Sequence, residues 1–182
     1  MTQQQVTLHT INEADRGQFV QLLAHVFEGP PWIVENTWQA RPFESLHDLH
    51  RALCDVMYHA SAGKKIELLQ AHPDLVGKAA LAGTLSPAST HEQTTAGLTT
   101  LSPDEIALFT RLNDEYRTRF NFPFVICARA NKKESILAGF ATRLHATREQ
   151  EMETALGEVA KICLFRLRDL VDTSETTNSM SQ

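Results

Sequence analysis

Asn121–Ala130, NFPFVICARA, is the single stretch of this chain with the composition of a strand. Aromatic and β-branched residues crowd it, as they do in extended segments packed on both sides. One such segment has no second strand to pair with. It therefore predicts a buried extended connector, and the residues on either side of it are spaced for helices. The fold class that follows is all-α: a single-domain bundle of about eight helices with no substantial sheet.

Working outward, Ser102-Pro103-Asp104-Glu105 is a strong helix start: a cap, a proline at the first helical position and a glutamate to close a capping box. That helix runs to Phe120, with Ile106, Phe109, Tyr116 and Phe120 turned inward. Beyond the connector, Asn131–His145 and Thr147–Val171 have helical spacing. Upstream, Asn12 is a candidate cap for a helix reaching Phe27, which Gly29-Pro30-Pro31 ends. Pro31 begins a short helix that Arg41-Pro42 stops. Ser45 caps another, striped by Leu46, Leu49, Leu53, Val56 and Met57. GKKIELLQA (63–71) adds a short one, and Ser89 is a candidate cap for THEQTTAG (90–97). The final DTSETTNSMSQ reads as a frayed polar tail.

A chain of 182 residues, 42% hydrophobic, is long enough to fold around a core without staples. Its formal charge is −5 and it has no polybasic run, which argues against nucleic acid as a partner. No apolar run approaches the ~20 residues of a membrane span. The N-terminal residues lack the pattern of a secretory signal, and the end, Met-Ser-Gln, is not a peroxisomal address. Cys54, Cys127 and Cys163 are odd in number and widely spaced, as in reduced cytoplasmic proteins. With no CxxC pattern, no structural metal is expected.

Two residues stand out on physical grounds. The last helix has an apolar stripe at Met152, Leu156, Val159, Cys163 and Leu170, and Arg166 falls on it. A guanidinium withdrawn from water costs several kcal/mol unless an anion and hydrogen bonds replace the water. Arg166 therefore snorkels, forms a structural ion pair, or meets a ligand. His72 sits where a helical pattern stops, in LLQAHPDLVGKAALAG (68–83), immediately before Pro73. Such a histidine either caps carbonyls at the bend or presents an imidazole to a cleft. Ser89 and Glu92 have the spacing of a capping box, which alone accounts for both and leaves Gln93 on the surface. His47 and His50 are three apart on a helix, a spacing open to metal, with no third ligand evident.

Together, AHPDLVGK (71–78), STHEQTTAGL (89–98), LNDEYRTRFNFPFVICARANKKESIL (112–137) and ALGEVAKICLFRLRDLV (155–171) resemble the OHCU decarboxylases. These enzymes act on 2-oxo-4-hydroxy-4-carboxy-5-ureidoimidazoline in the conversion of urate to allantoin. The resemblance extends over 12–171, with 1–11 as an N-terminal extension and 172–182 as the tail. It implies an all-helical fold, usually a homodimer, working without cofactor or metal on a small ureidoimidazoline. It also implies site roles. His72 matches the catalytic histidine and Pro73 lines the pocket beside it. Ser89, Glu92 and Gln93 match the substrate-contacting Ser-x-x-Glu-Gln. Phe124, Val125, Ile126, Cys127 and Ala128 match a stretch that meets substrate through its backbone, and Arg166 matches the pocket arginine. Asn121 stands where many members have glycine, and asparagine is the residue best able to replace it in a left-handed turn. The implied catalytic set is His72, Glu92 and Arg166. The competing readings are a non-catalytic helical binding module and a metal-dependent hydrolase built on His47 and His50.

Overall fold

A computed structural model of the chain describes residues 5–172. The predicted polar tail therefore lies, from 173 onward, outside the described residues, as do residues 1–4. Among the described residues the fold is helical, in two compact units: one made of 5–60 together with 162–172, the other of Ser61–Lys161.

The first unit opens with β1 (Val6–Thr7) and α1 (Leu8–Glu13). Asn12 does not cap the helix predicted from it. It lies inside α1, where its amide donates to the Phe43 carbonyl (2.9 Å) and accepts from the Phe43 N–H (2.8 Å). The start belongs to Asp15, which forms a complete capping box with Gln18 and begins α2 (Arg16–Leu22). A box satisfies two orphan N–H groups where a lone asparagine satisfies one. Of the helix predicted over 12–27 only α2 forms, ending at Leu22 and not at Phe27, while α1 lies mostly in the segment read as an extension, where Ile11 is fully buried. Pro31 precedes α3 (Trp32–Thr37), which tightens into a 3-10 turn over Trp38–Ala40. Ser45 caps α4 (Leu46–Tyr58) as expected, and α4 buries Leu49, Leu53, Cys54 and Met57.

In the second unit Ser61 caps α5 (Ala62–Gln70), and α6 (Lys78–Leu81) forms in the small-residue run. Next come α7 (Pro87–Thr95) and α8 (Pro103–Phe120), the latter with the predicted Ser102/Glu105 box. After α9 (Lys133–Arg143), the long α10 (Arg148–Leu170) supplies this unit as far as Lys161 and the first unit beyond it. Strand β2 (Val171–Asp172) follows and pairs parallel to β1, Val6 opposite Val171. These two short strands are the only sheet among the described residues. Among the described residues ten α-helices form where about eight were expected, because α1 and α6 are added.

Asn121 closes α8 in the left-handed conformation (φ 63°, ψ 24°), as its substitution for glycine requires. Of the connector predicted over 121–130, the middle runs extended and largely buried to Cys127, and Ala128–Ala130 closes it as a 3-10 turn. Phe124 stacks on Phe140 at 3.8 Å and meets the edge of Tyr116 at 5.2 Å. Gly139 permits this approach, since a Cβ there would come within 3.2 Å of the Phe124 ring. Truncating one of these rings removes about 3–5 kcal/mol.

Candidate active site

His72 lies just past the end of α5. Its Nδ1 is 2.9 Å from the Leu68 carbonyl, an acceptor that α5 leaves without a helical partner. A carbonyl only accepts, so Nδ1 carries the proton of this bond. The ring is 7% exposed. Of the two roles the sequence leaves open, carbonyl capping is the one this bond fills.

The turn after Pro73 is strained. Val76 has φ 55°, a left-handed backbone that a β-branched residue rarely adopts and that costs about 1–3 kcal/mol. Gly77 follows so tightly that a Cβ would lie 2.6 Å from the Asp74 Cβ. Three side chains hold this path. The Gln93 Oε1 accepts from the Val76 N–H (3.0 Å), and the Gln93 Nε2 reaches the Asp74 carbonyl (3.4 Å). Asn113 Nδ2 donates to the Leu75 carbonyl at 2.8 Å. Arg117 Nε donates to both Asp74 carboxylate oxygens, at 2.9 and 3.1 Å.

Helix α7 turns a polar face inward: its buried residues are Ser89, Glu92 and Gln93. The sequence reading of Ser89 as a cap fails. Ser86 is the cap, accepting from the Ser89 N–H at 3.1 Å, and Pro87 occupies the first turn, where its missing N–H costs nothing. Ser89 and Glu92 are therefore not a capping box, and their burial needs another cause. The Ser86 hydroxyl donates to the Ser89 Oγ (3.1 Å). Gln93, placed on the surface by the capping-box reading, is 4% exposed, and its amide is engaged by the 74–76 backbone.

In the connector, Phe124, Val125, Cys127 and Ala128 are buried and Ile126 is half-buried. The Val125 carbonyl accepts from Arg143 Nη1 (2.8 Å), whose guanidinium also lies 4.3 Å over the Phe124 ring. The Cys127 N–H donates to the Glu158 carboxylate (2.8 Å), and its carbonyl accepts from Asn131 Nδ2 (3.0 Å). The Ile126 N–H and C=O take no such bond among the described residues. Burial pushes the Cys127 thiol up, and the neighbouring carboxylates add to this. Helix α7 also packs on the 3-10 turn Ala128–Ala130.

The second unit thus contains His72, Pro73, Ser89, Glu92, Gln93 and 124–128, while Arg166 belongs to the first. Arg166 does not snorkel. It is 8% exposed, pairs with Glu28 at 2.9 Å and donates to the His25 carbonyl at 3.1 Å. Two members of its predicted stripe, Met152 and Leu170, are only half-buried, whereas Ala155 and Ile162 are buried. The stripe is rotated accordingly, and it carries a second charge: Glu151, fully buried, bonded to Arg143 and to the Tyr116 hydroxyl. Sequence analysis missed Glu151 because the stripe was anchored on Met152. A buried carboxylate one helical turn from Ala155 was the available signal.

His47 is exposed, and His50 Nε2 lies 3.3 Å from Cys54 Sγ. The Cys54 thiol is held down to about 5, first by its hydrogen bond with Cys163 and then by His50. No group of three metal-ligating side chains is assembled among the described residues. Among those residues no helix is long and apolar enough to cross a membrane.

Comparison with known proteins identifies the family. Residues 12–168 match the family model for OHCU decarboxylase. The 2-oxo-4-hydroxy-4-carboxy-5-ureidoimidazoline decarboxylase of Amia calva is 38% identical over 169 residues, covering 93% of this chain and 97% of its own length. That of Halalkalicoccus jeotgali is 36% identical over 165 residues, covering 91% and 92%. Among solved structures, an (S)-allantoin synthase superposes with a TM-score of 0.75 at 28% identity over 93% of this chain. The present chain spans 55% of that protein's length. An OHCU decarboxylase crystallised in the presence of (S)-allantoin shares the fold, with a TM-score of 0.63 at 21% identity over 76% of this chain and 89% of that one. The chain belongs to the OHCU decarboxylase family.

Proposed function

We infer that this protein is a carboxy-lyase of urate degradation, converting 2-oxo-4-hydroxy-4-carboxy-5-ureidoimidazoline to (S)-allantoin and CO2. The observation that carries the reading is helix α7, which buries Ser89, Glu92 and Gln93 and no apolar side chain. Gln93 of that helix grips the turn that follows His72. Buried polar side chains cost free energy, and a helix that turns only such groups inward is best explained by a polar ligand.

The chemistry sets modest demands. The bond to the carboxylate breaks, CO2 leaves, and the electron pair passes into the adjacent ring C=N. The ring is its own electron sink, so the reaction calls for no cofactor or metal. What remains for the protein is to orient the carboxylate, support the developing charge and place one proton on one face of the ring. His72 suits the proton transfer: an imidazole exchanges protons near neutral pH, and its Nδ1 bond to the Leu68 carbonyl orients the ring. Glu92 and the Ser89 hydroxyl serve the polar ring and ureido edges. The Ile126 N–H and C=O offer a donor and an acceptor side by side, as a urea-like group requires. Gln93 supports the site through the 74–76 turn. For Arg166 of the first unit the family resemblance alone implies a substrate role, as a source of planar donors for carboxylate or carbonyl oxygens. The decarboxylase-like part spans 12–171, and the enzyme is cytoplasmic and homodimeric.

The test is to generate the unstable substrate in situ from urate with urate oxidase and the ensuing hydrolase. Adding this protein should hasten substrate loss and yield allantoin of one hand by circular dichroism, with a chelator making no difference. Racemic allantoin formed at the spontaneous rate would refute the reading. A non-catalytic binding module predicts that second result, and a metal hydrolase predicts loss of activity with the chelator.

A further inference from the structure

Asn113 lies in the middle of α8, 4% exposed, on a helix whose other buried residues are Phe109, Tyr116 and Phe120. An aliphatic side chain would fill that aromatic face at least as well. Its Nδ2 donates to the Leu75 carbonyl at 2.8 Å, across 38 residues of sequence. Its Oδ1 is buried and takes no hydrogen bond among the described residues. Keeping an amide there, with one end unsatisfied, makes sense if the donated bond matters more than packing.

That bond falls on the left-handed turn. Leu75 precedes Val76, whose φ is 55°, and Val76 is gripped through its N–H by Gln93. Arg117, one helical turn on from Asn113, holds the Asp74 carboxylate. Two helices thus clamp three consecutive residues of an unfavourable backbone that begins two residues after His72. A strained segment persists only where its surroundings over-determine it. Without the clamp, Val76 relaxes toward an ordinary φ, and the chain redirects Pro73 and the imidazole.

We propose that Asn113 is a positioning residue for His72: with Gln93 it locks the Asp74–Val76 turn and so fixes where the imidazole stands. The proposal rests on the reading of His72 as the proton-transfer group. Asn113 acts through His72, so its loss lowers turnover far more than it weakens substrate binding. A displacement on the order of 1 Å costs up to about 100-fold in rate.

The experiment is a double-mutant cycle with in situ substrate. Asn113→Leu, and Asn113→Asp as the variant that keeps the shape but loses the donor, should each lower kcat about 10- to 100-fold with KM changed less than about threefold. In a His72→Ala background the same substitutions should have no further effect. Full kcat in either folded variant overturns the proposal, as does a loss that multiplies with that of His72→Ala. Should Asn113→Leu fail to fold, Asn113→Asp carries the test, and Gln93→Met, which also frees the Val76 N–H, gives a second kcat-against-KM comparison. If His72→Ala alone retains wild-type kcat, the reading of His72 fails independently of Asn113.

Discussion

Helices α7 and α8 begin alike and end up with opposite tasks. Each opens with serine as cap and proline in the first turn. In α8 the box is closed by Glu105, and the inward side carries Phe109, Tyr116 and Phe120 beside Asn113. In α7 the same start leads to an inward side of Ser89, Glu92 and Gln93. The start signature sets where a helix begins; the residues it buries say what it is for. Helix α8 draws its stability from burying rings, whereas α7 gives up that contribution to hold polar groups out of water.

The largest effects should separate the two helices. Glu92→Leu removes a buried carboxylate from α7, and we expect turnover to fall about 100-fold or more while the melting temperature stays level or rises. Phe109→Ala in α8 should do the reverse, losing about 3–5 kcal/mol of stability by denaturant melts while the folded fraction stays active. If Glu92→Leu were to melt the protein and spare its kinetics, the contrast would collapse.

Cap removal is a finer probe. Ser86→Ala and Ser102→Ala should each cost about 1 kcal/mol. Only Ser86→Ala should also lower turnover, because the Ser86 hydroxyl donates to Ser89. Equal kinetic effects from both caps would mean that α7 has no special role.

The smallest effect concerns the α8 start and pH. Lys133 holds the Glu105 carboxyl below its usual range, with the Ser102 N–H assisting, and Glu105 in turn holds the Lys133 ammonium above its own. A depressed carboxyl contributes stability above its unfolded value near 4.5 and loses it as pH falls through the lower folded one. Lys133→Met should therefore flatten the acid limb of the stability profile slightly while leaving the pH-rate profile unchanged. Thermal melts between pH 3 and 7, with and without the substitution, check this.

How much of this was legible in sequence depended on whether the signal was local. Ser45, the Ser102 box and the left-handed Asn121 all act within one turn, and each was read correctly. The connector was legible because a lone strand-like segment has no pairing partner. Failures arose where two residues competed for one task. Asp15 outbids Asn12 as a cap through its box with Gln18, and Ser86-Pro87 displaces Ser89 by one turn. Among the proposed functional residues, His72 and Arg166 announced themselves as oddly placed polar residues, and the family resemblance implied their roles. The bonds of Gln93 and Asn113 to the 74–76 turn were invisible, since nothing in the spacing of distant residues says which carbonyl an amide will reach. Glu151 was hidden for a different reason: its partners Arg143 and Tyr116 come from two other helices.

The most direct measurement is the handedness of allantoin formed by folded His72→Ala protein from substrate generated in its presence. Proton delivery by the imidazole predicts racemic product appearing at the spontaneous rate, with the far-ultraviolet spectrum of the protein unchanged. A single enantiomer produced at the wild-type rate would contradict it.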